Sequence, residues 1–173
     1  MNTSPPRKPD PTAYFSAALF EDGIGEVVIS RFKVSGAAEI GVFLVDVYCL
    51  GVKNGFFTKC GPEEHEPLLD KVFGGRERVA LSPACARKLV ESSVAYAAKL
   101  GLPPHRDYKS ASRVLGGING EDCDTEFTFG KDGMPFYIQG PNDSPAFAER
   151  VLALLQQHCG EGKFHYILGG DSF

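Results

Sequence analysis

The chain has 173 residues, 43% of them hydrophobic and 23% charged, a composition with which one domain can bury a core unaided. Eighteen basic residues against twenty-two acidic ones leave a formal charge of -4, which argues against extensive nucleic-acid binding or the coating of anionic lipid. The longest apolar stretch, 40–52, is interrupted by Asp46 and is too short to cross a bilayer as a helix, so a soluble protein with no membrane partner is expected.

In chain order, residues 1–12 hold Pro5, Pro6, Pro9 and Pro11 with Arg7 and Lys8 and no apolar core. They read as a disordered Pro-rich arm, neither a secretory signal nor an anchor, and residues 13–173 as one globular domain. Strands are expected over 14–20, 26–33 and 39–52, separated by Asp22-Gly23 and Ser35-Gly36. Asn54-Gly55, between Val52 and Phe56, carries the strongest short hairpin signal, because both residues tolerate positive φ. A short helix is expected within 63–73, starting near Pro67, with Leu68, Leu69 and Val72 at helical spacing.

Ser82-Pro83 supplies an N-cap followed by proline at the first helical position, and Ala86, Leu89, Val90, Ser93, Val94 and Ala97 recur at threes and fours up to Gly101. A shorter helix is expected over 108–115. Lys131-Asp132-Gly133 predicts a second hairpin between 125–130 and 134–139. Ser144-Pro145 repeats the cap device for a helix to about His158, buried through Phe147, Val151, Leu154 and Leu155, and 164–168 reads as a last strand. The fold class is therefore α+β: an antiparallel β-meander in the N-terminal half packed against two or three capped helices, with a second hairpin near 125–139.

Candidate chemistry is sparse. Asp46 lies in an apolar run where an unpaired carboxylate costs several kcal/mol or protonates, roughly, so it needs a partner, a bulge or a rim. As a functional group it is a general base or metal ligand; as a structural one it accepts backbone N–H groups or pairs with a nearby Lys or Arg, Lys53 being one source. Cys49 is a second catalytic candidate, but its neighbours supply no base, and it reads better as a small buried hydrophobe. Asp122, Asp124 and Glu126 fall on one face if extended and offer oxygen ligands for Mg²⁺ or Ca²⁺, against the plainer reading of a solvated acidic connector. Glu64-His65-Glu66 offers mixed ligands that cannot all face one ion. Arg106, Lys109 and Arg113, at spacings of three and four, form a basic stripe suited to a phosphate, a small acidic ligand or a protein partner if 108–115 is helical.

No motif for haem, a nucleotide or zinc is present, and neither is a G-x-S-x-G elbow. The five cysteines are odd in number and dispersed without a C-x-x-C pair, which predicts reduced thiols in the cytoplasm. The segments Leu44-Val45-Asp46-Val47-Tyr48-Cys49-Leu50-Gly51-Val52-Lys53 and Phe129-Gly130-Lys131-Asp132-Gly133-Met134-Pro135-Phe136-Tyr137-Ile138-Gln139-Gly140-Pro141 resemble a family of uncharacterised bacterial proteins. The resemblance implies a bacterial intracellular origin and one domain holding both segments, and it implies no activity. With no nucleophile, base and oxyanion donor to assemble, the expected function is a binding or interaction module. The alternative is a metal-dependent hydrolase or nuclease using Asp46 with the carboxylates of 121–126.

Overall fold

A computed structural model of the chain describes residues 3–169. Residues 3–11 of the Pro-rich arm carry no helix or strand; Met1 and Asn2 lie outside the described residues. Then follow β1 (Thr12–Ser16), a single helical turn α1 (Leu19–Asp22), β2 (Ile24–Phe32), β3 (Ala38–Asp46), β4 (Gly51–Cys60) and α2 (His65–Phe73). The second half contains β5 (Arg78–Leu81), α3 (Pro83–Lys99), α4 (Tyr108–Ala111), β6 (Phe136–Ile138), α5 (Pro145–Cys159) and β7 (His165–Ile167). Five strands form an antiparallel sheet in the order β4-β3-β2-β1-β5, and β6 pairs with β7 in parallel, so the α+β class expected from the sequence is the one observed.

The apolar run Val27-Val28-Ile29 buries both faces of the sheet, because successive side chains point to opposite sides. On one face Val27, Ile29, Phe43 and Val45 pack against Ala86, Leu89 and Val90 of α3 and against Ala111 and Val114. On the other, Val28, Ile40 and Val42 meet Leu69 and Phe73 of α2, while His65 turns inward to Ser30 Oγ at 2.8 Å. Ala97 at the end of α3 and its C-cap Leu100 belong to a third cluster with Cys49, Leu50, Tyr137 and the buried stripe of α5, Val151 and Leu155. Both serine caps form as expected: Ser82 Oγ accepts the Cys85 N–H and Ser144 Oγ the Phe147 N–H, each at 3.1 Å.

Four expectations are corrected. The run 39–52 is two strands, since the chain reverses over Asp46–Gly51. Asn54-Gly55 is no hairpin: β4 continues through it, pairing Asn54 with Leu44 and Gly55 with Phe43 just past a register shift at Lys53, and Gly55 is needed for close approach, a Cβ there lying 2.9 Å from the Val42 carbonyl oxygen and 3.2 Å from Ala111 Cβ. The Asp132-Gly133 turn forms, with φ of 52° and 80°, but only Lys131 and Met134 bridge across it. Its flanks spend their hydrogen bonds elsewhere, and β6 pairs with β7 instead of with 125–130. Finally, Cys85 and Cys123 are joined in a disulfide, leaving Cys49, Cys60 and Cys159 free rather than all five. Spacing along the chain gave no sign of this pair, because the fold lays the 120–123 turn beside the first turns of α3. Among the described residues no helix is long and apolar enough to cross a membrane.

Candidate functional site at Lys53

The site grows from the reversal between β3 and β4. Asp46 Oδ1 accepts the N–H groups of Tyr48 at 2.9 Å and Cys49 at 3.0 Å, closing a turn of the kind that Asp side chains nucleate. Gly51 ends it at φ 69°, where any Cβ would come within 2.7 Å of the Ser93 carbonyl oxygen. Asp46 is therefore the turn's internal acceptor, and its acidic character follows from that position. Burial pushes its carboxyl up to about 6, opposed by the N–H groups of Cys49, Tyr48 and Leu50 and by the charge of Lys53. Cys49 is fully buried, and burial followed by the Asp46 charge drives its thiol upward, so it is held as the protonated, unreactive form.

The reversal is clasped by the second segment named above. Gly130 donates its N–H to the Val47 carbonyl at 2.9 Å, Phe136 donates to the Tyr48 carbonyl at 3.0 Å, and the Tyr48 and Phe136 rings lie 5.9 Å apart. The Lys131 ammonium sits over both rings, 5.9 and 5.4 Å from their centroids. Residues 44–53 and 129–141 thus form one structural unit. It continues to Asp143, whose Oδ2 receives three donors: Lys53 Nζ at 3.1 Å, the Tyr137 hydroxyl at 3.0 Å and the Gly140 N–H at 2.9 Å. The Lys53 and Asp143 side chains are only 18% and 7% exposed, so this is a largely buried ion pair that ties β4, β6 and the N-terminus of α5 together. Burial and the bond to Asp143 raise the Tyr137 hydroxyl above its ordinary range, which keeps it a donor.

Three clefts meet at Lys53. One, of about 190 Å³, is walled by apolar residues including Leu50, Val52, Leu102, Phe147 and Leu154, with Lys53, His105 and Arg150 as its ionisable lining. His105 Nδ1 accepts the Asp107 N–H at 3.2 Å, which leaves Nε2 as the ring's second polar atom. Arg150 is exposed and pairs with no acid among the described residues. The sequence reading missed Asp143, Tyr137 and Arg150 as members of a site. Pro141-Asn142-Asp143 ahead of Ser144-Pro145 signalled a turn and a helix start, but nothing local joined that turn to Lys53, ninety residues away.

The remaining candidates lie elsewhere. Asp122, Asp124 and Glu126 are exposed; Glu126 pairs with Lys88 at 2.8 Å, and Gly120 lies against Ala84 and Lys88 of α3. Asp46 is instead at the Ser93–Ala97 end of that helix, so the fold keeps it apart from the 121–126 carboxylates, and no cluster of three or more metal-ligating side chains occurs among the described residues. Arg106 precedes α4, Lys109 is exposed on it, and Arg113 falls in a 3-10 turn (Ser112–Leu115) with its guanidinium 4.5 Å from the Phe57 centroid. The change of winding breaks the expected stripe, because threes and fours share a face only along one continuous α-helix. Comparisons of the chain with protein-family models, with curated proteins and with solved structures returned no match.

Proposed function

We propose that the chain is a binding module whose ligand is a small organic acid with an apolar body, seated in the cleft beside Lys53. The observation that carries this reading is the lining itself: apolar walls around Lys53, His105 and Arg150, with no carboxylate among the lining residues. A ligand carboxylate gains charge-assisted bonds there while its hydrocarbon part leaves water. Asp143 already neutralises Lys53, so Lys53 acts chiefly by placing a fixed polar floor, and Arg150 and His105 supply the donors. Cytoplasmic residence, argued from five free thiols, loses that argument to the Cys85–Cys123 bond, since such bonds persist in oxidising surroundings.

Thermal melts of the full chain with 4-phenylbutyrate and with its neutral amide test the reading, because a ligand of the native state raises apparent stability by mass action. The acid is expected to raise the melting temperature and the amide to leave it unchanged. Arg150→Ala should remove the acid's effect while leaving the unliganded melt in place. Equal shifts with acid and amide, or none with either, would overturn the proposal.

A further inference from the structure

Away from Lys53, the Cys85–Cys123 bond joins the first turn of α3 to the stretch that lies across it. Its two sulfurs sit in unequal surroundings: Cys85 is half-buried, whereas Cys123 is only 5% exposed. We propose that this bond is a thiol–disulfide exchange site for small zwitterionic thiols of the glutathione class, with Cys85 as the sulfur attacked and Cys123 as the resolving thiol.

Thr125 tells the two sulfurs apart. Its hydroxyl oxygen lies 3.9 Å from Cys85 Sγ, and its carbonyl oxygen lies 3.9 Å from Cys123 Sγ. A hydroxyl can donate to a charged sulfur, so it supports Cys85 as the thiolate that attacks or departs; a carbonyl only accepts, so it supports Cys123 as the S–H form. Cys85 is also the third residue of a seventeen-residue helix, where the aligned peptide dipoles favour negative charge. Asp122 and Asp124, exposed and next to Cys123 in the chain, oppose a further negative charge there, and Glu126 is already paired with Lys88. An accessible sulfur beside a buried resolving cysteine is the arrangement that reversible exchange requires.

An incoming thiolate forms a bond to Cys85 Sγ as the Cys85–Cys123 bond breaks, and Cys123 departs with the electron pair and takes up the proton that the incoming thiol has lost. A second thiol then attacks the incoming sulfur of the mixed disulfide and releases Cys85. Two small thiols are thereby oxidised to one disulfide while the protein pair is reduced to two thiols, and the reverse sequence restores the bond. Beside the pair lies a polar cleft of about 550 Å³ lined by Arg87, Lys88, Glu91, Asn119, Glu121 and Cys123, which offers both signs of charge to the body of a zwitterionic thiol. Arg87 holds the Leu115 and Ile118 carbonyls and Lys88 the Cys123 carbonyl whether or not the sulfurs are joined, so the resolving thiol stays beside Cys85.

Reduction of the full chain by glutathione, followed by alkylation and peptide mass mapping, tests this without any variant. The rate of opening is expected to rise in proportion to glutathione and to stay level in urea below the unfolding transition. With oxidised glutathione, Cys123→Ser should gain a mixed disulfide on Cys85 at least about tenfold faster than Cys85→Ser gains one on Cys123. Adding Thr125→Val to Cys123→Ser should slow the labelling of Cys85 by roughly threefold or more, and far-ultraviolet dichroism checks that each variant is folded. Opening that accelerates steeply with urea, or that occurs only on unfolding, would make the bond purely structural and overturn the proposal. Equal labelling of the two single variants, or an unchanged rate with Thr125→Val, would overturn the division of roles between the sulfurs.

Discussion

Asp46 shows how one side chain can be buried, acidic and structural at once. Its ionised form is penalised by burial, yet its Oδ1 is indispensable to the reversal because it caps two buried backbone N–H groups. The sign of its pH dependence follows from the raised value. With a folded value of about 6 against an ordinary 3.8, the native state holds the proton more tightly between those limits. Its contribution is therefore fully present below about pH 3.8 and is lost as pH rises through about 6, a difference of at most about 3 kcal/mol. Asp46→Asn keeps the Oδ1 acceptor and removes the charge, so at pH 7.5 it should be as stable as the wild type or more so. Asp46→Ala should lose about 1 to 3 kcal/mol for the N–H groups it strands. Chemical denaturation at pH 4 and pH 7.5 checks both; an Asn variant weaker by several kcal/mol at pH 7.5 would mean that the charge itself is paired.

Asp143 differs from Asp46 in that its charge is paired: three donors converge on one oxygen, and one of them is a cation. Asp143→Ala leaves Lys53 largely buried without its partner and should destabilise by about 3 kcal/mol, near the lower end for a broken buried pair given the 18% exposure of the lysine. Lys53→Met should cost less, since Tyr137 and Gly140 still satisfy the carboxylate. A double-mutant cycle measured by urea unfolding separates the pair from its neighbours, and equal costs for the two single changes would contradict the assigned roles.

Among the elements, the stretch from Ile118 to Glu126 is fastened to α3 from several sides. Arg87 donates to the Leu115 and Ile118 carbonyls at 3.0 and 2.6 Å, Lys88 reaches Glu126, and Cys123 is bonded to Cys85 across 38 residues of sequence. Closing a loop of that length restricts the unfolded chain by up to about 4 kcal/mol. Alkylation under non-reducing denaturing conditions should label three cysteines, and five after reduction, with a corresponding fall in the denaturation midpoint. Five labels without reductant would remove the bond and restore the argument for a reducing compartment. The polar ties of Arg87 and Lys88 predict that the stretch stays docked when the bond is reduced, so native spectra should persist in reductant.

Over the whole molecule, α3 connects the parts. Leu89 and Val90 belong to the cluster against the five-stranded sheet, while Ala97 and Leu100 belong to the cluster formed with α5 and the Asp46–Gly51 reversal. A rigid seventeen-residue helix shared between both clusters couples their stability. Thermal unfolding followed by far-ultraviolet dichroism and by tyrosine absorbance should therefore give one coincident transition for the expected single domain. Two separated transitions would divide the sheet from the α5 cluster and leave the Lys53 site at a domain boundary.

What the sequence determined by itself is whatever a few neighbouring residues decide. The Ser-Pro caps and the periodic faces of α3 and α5 are local, because cap, proline and apolar stripe act within two or three turns; the Asp132-Gly133 turn is local for the same reason. The need of Asp46 for a hydrogen-bonding partner was legible too, as was the possibility that backbone N–H groups supply it. Where the chain reverses was not legible, because Asp46 and Gly51 interrupt an apolar run whose periodicity fits one long strand as well as two. Asn54-Gly55 misled for a related reason: glycine there answers to Val42 and Ala111, packed from other elements, rather than to a turn. The Lys53–Asp143–Tyr137 network, the Cys85–Cys123 bond and the clefts at Lys53 were decided by tertiary structure alone. Each joins residues far apart in the chain, and neither propensity nor spacing records which distant donor a buried acceptor will meet.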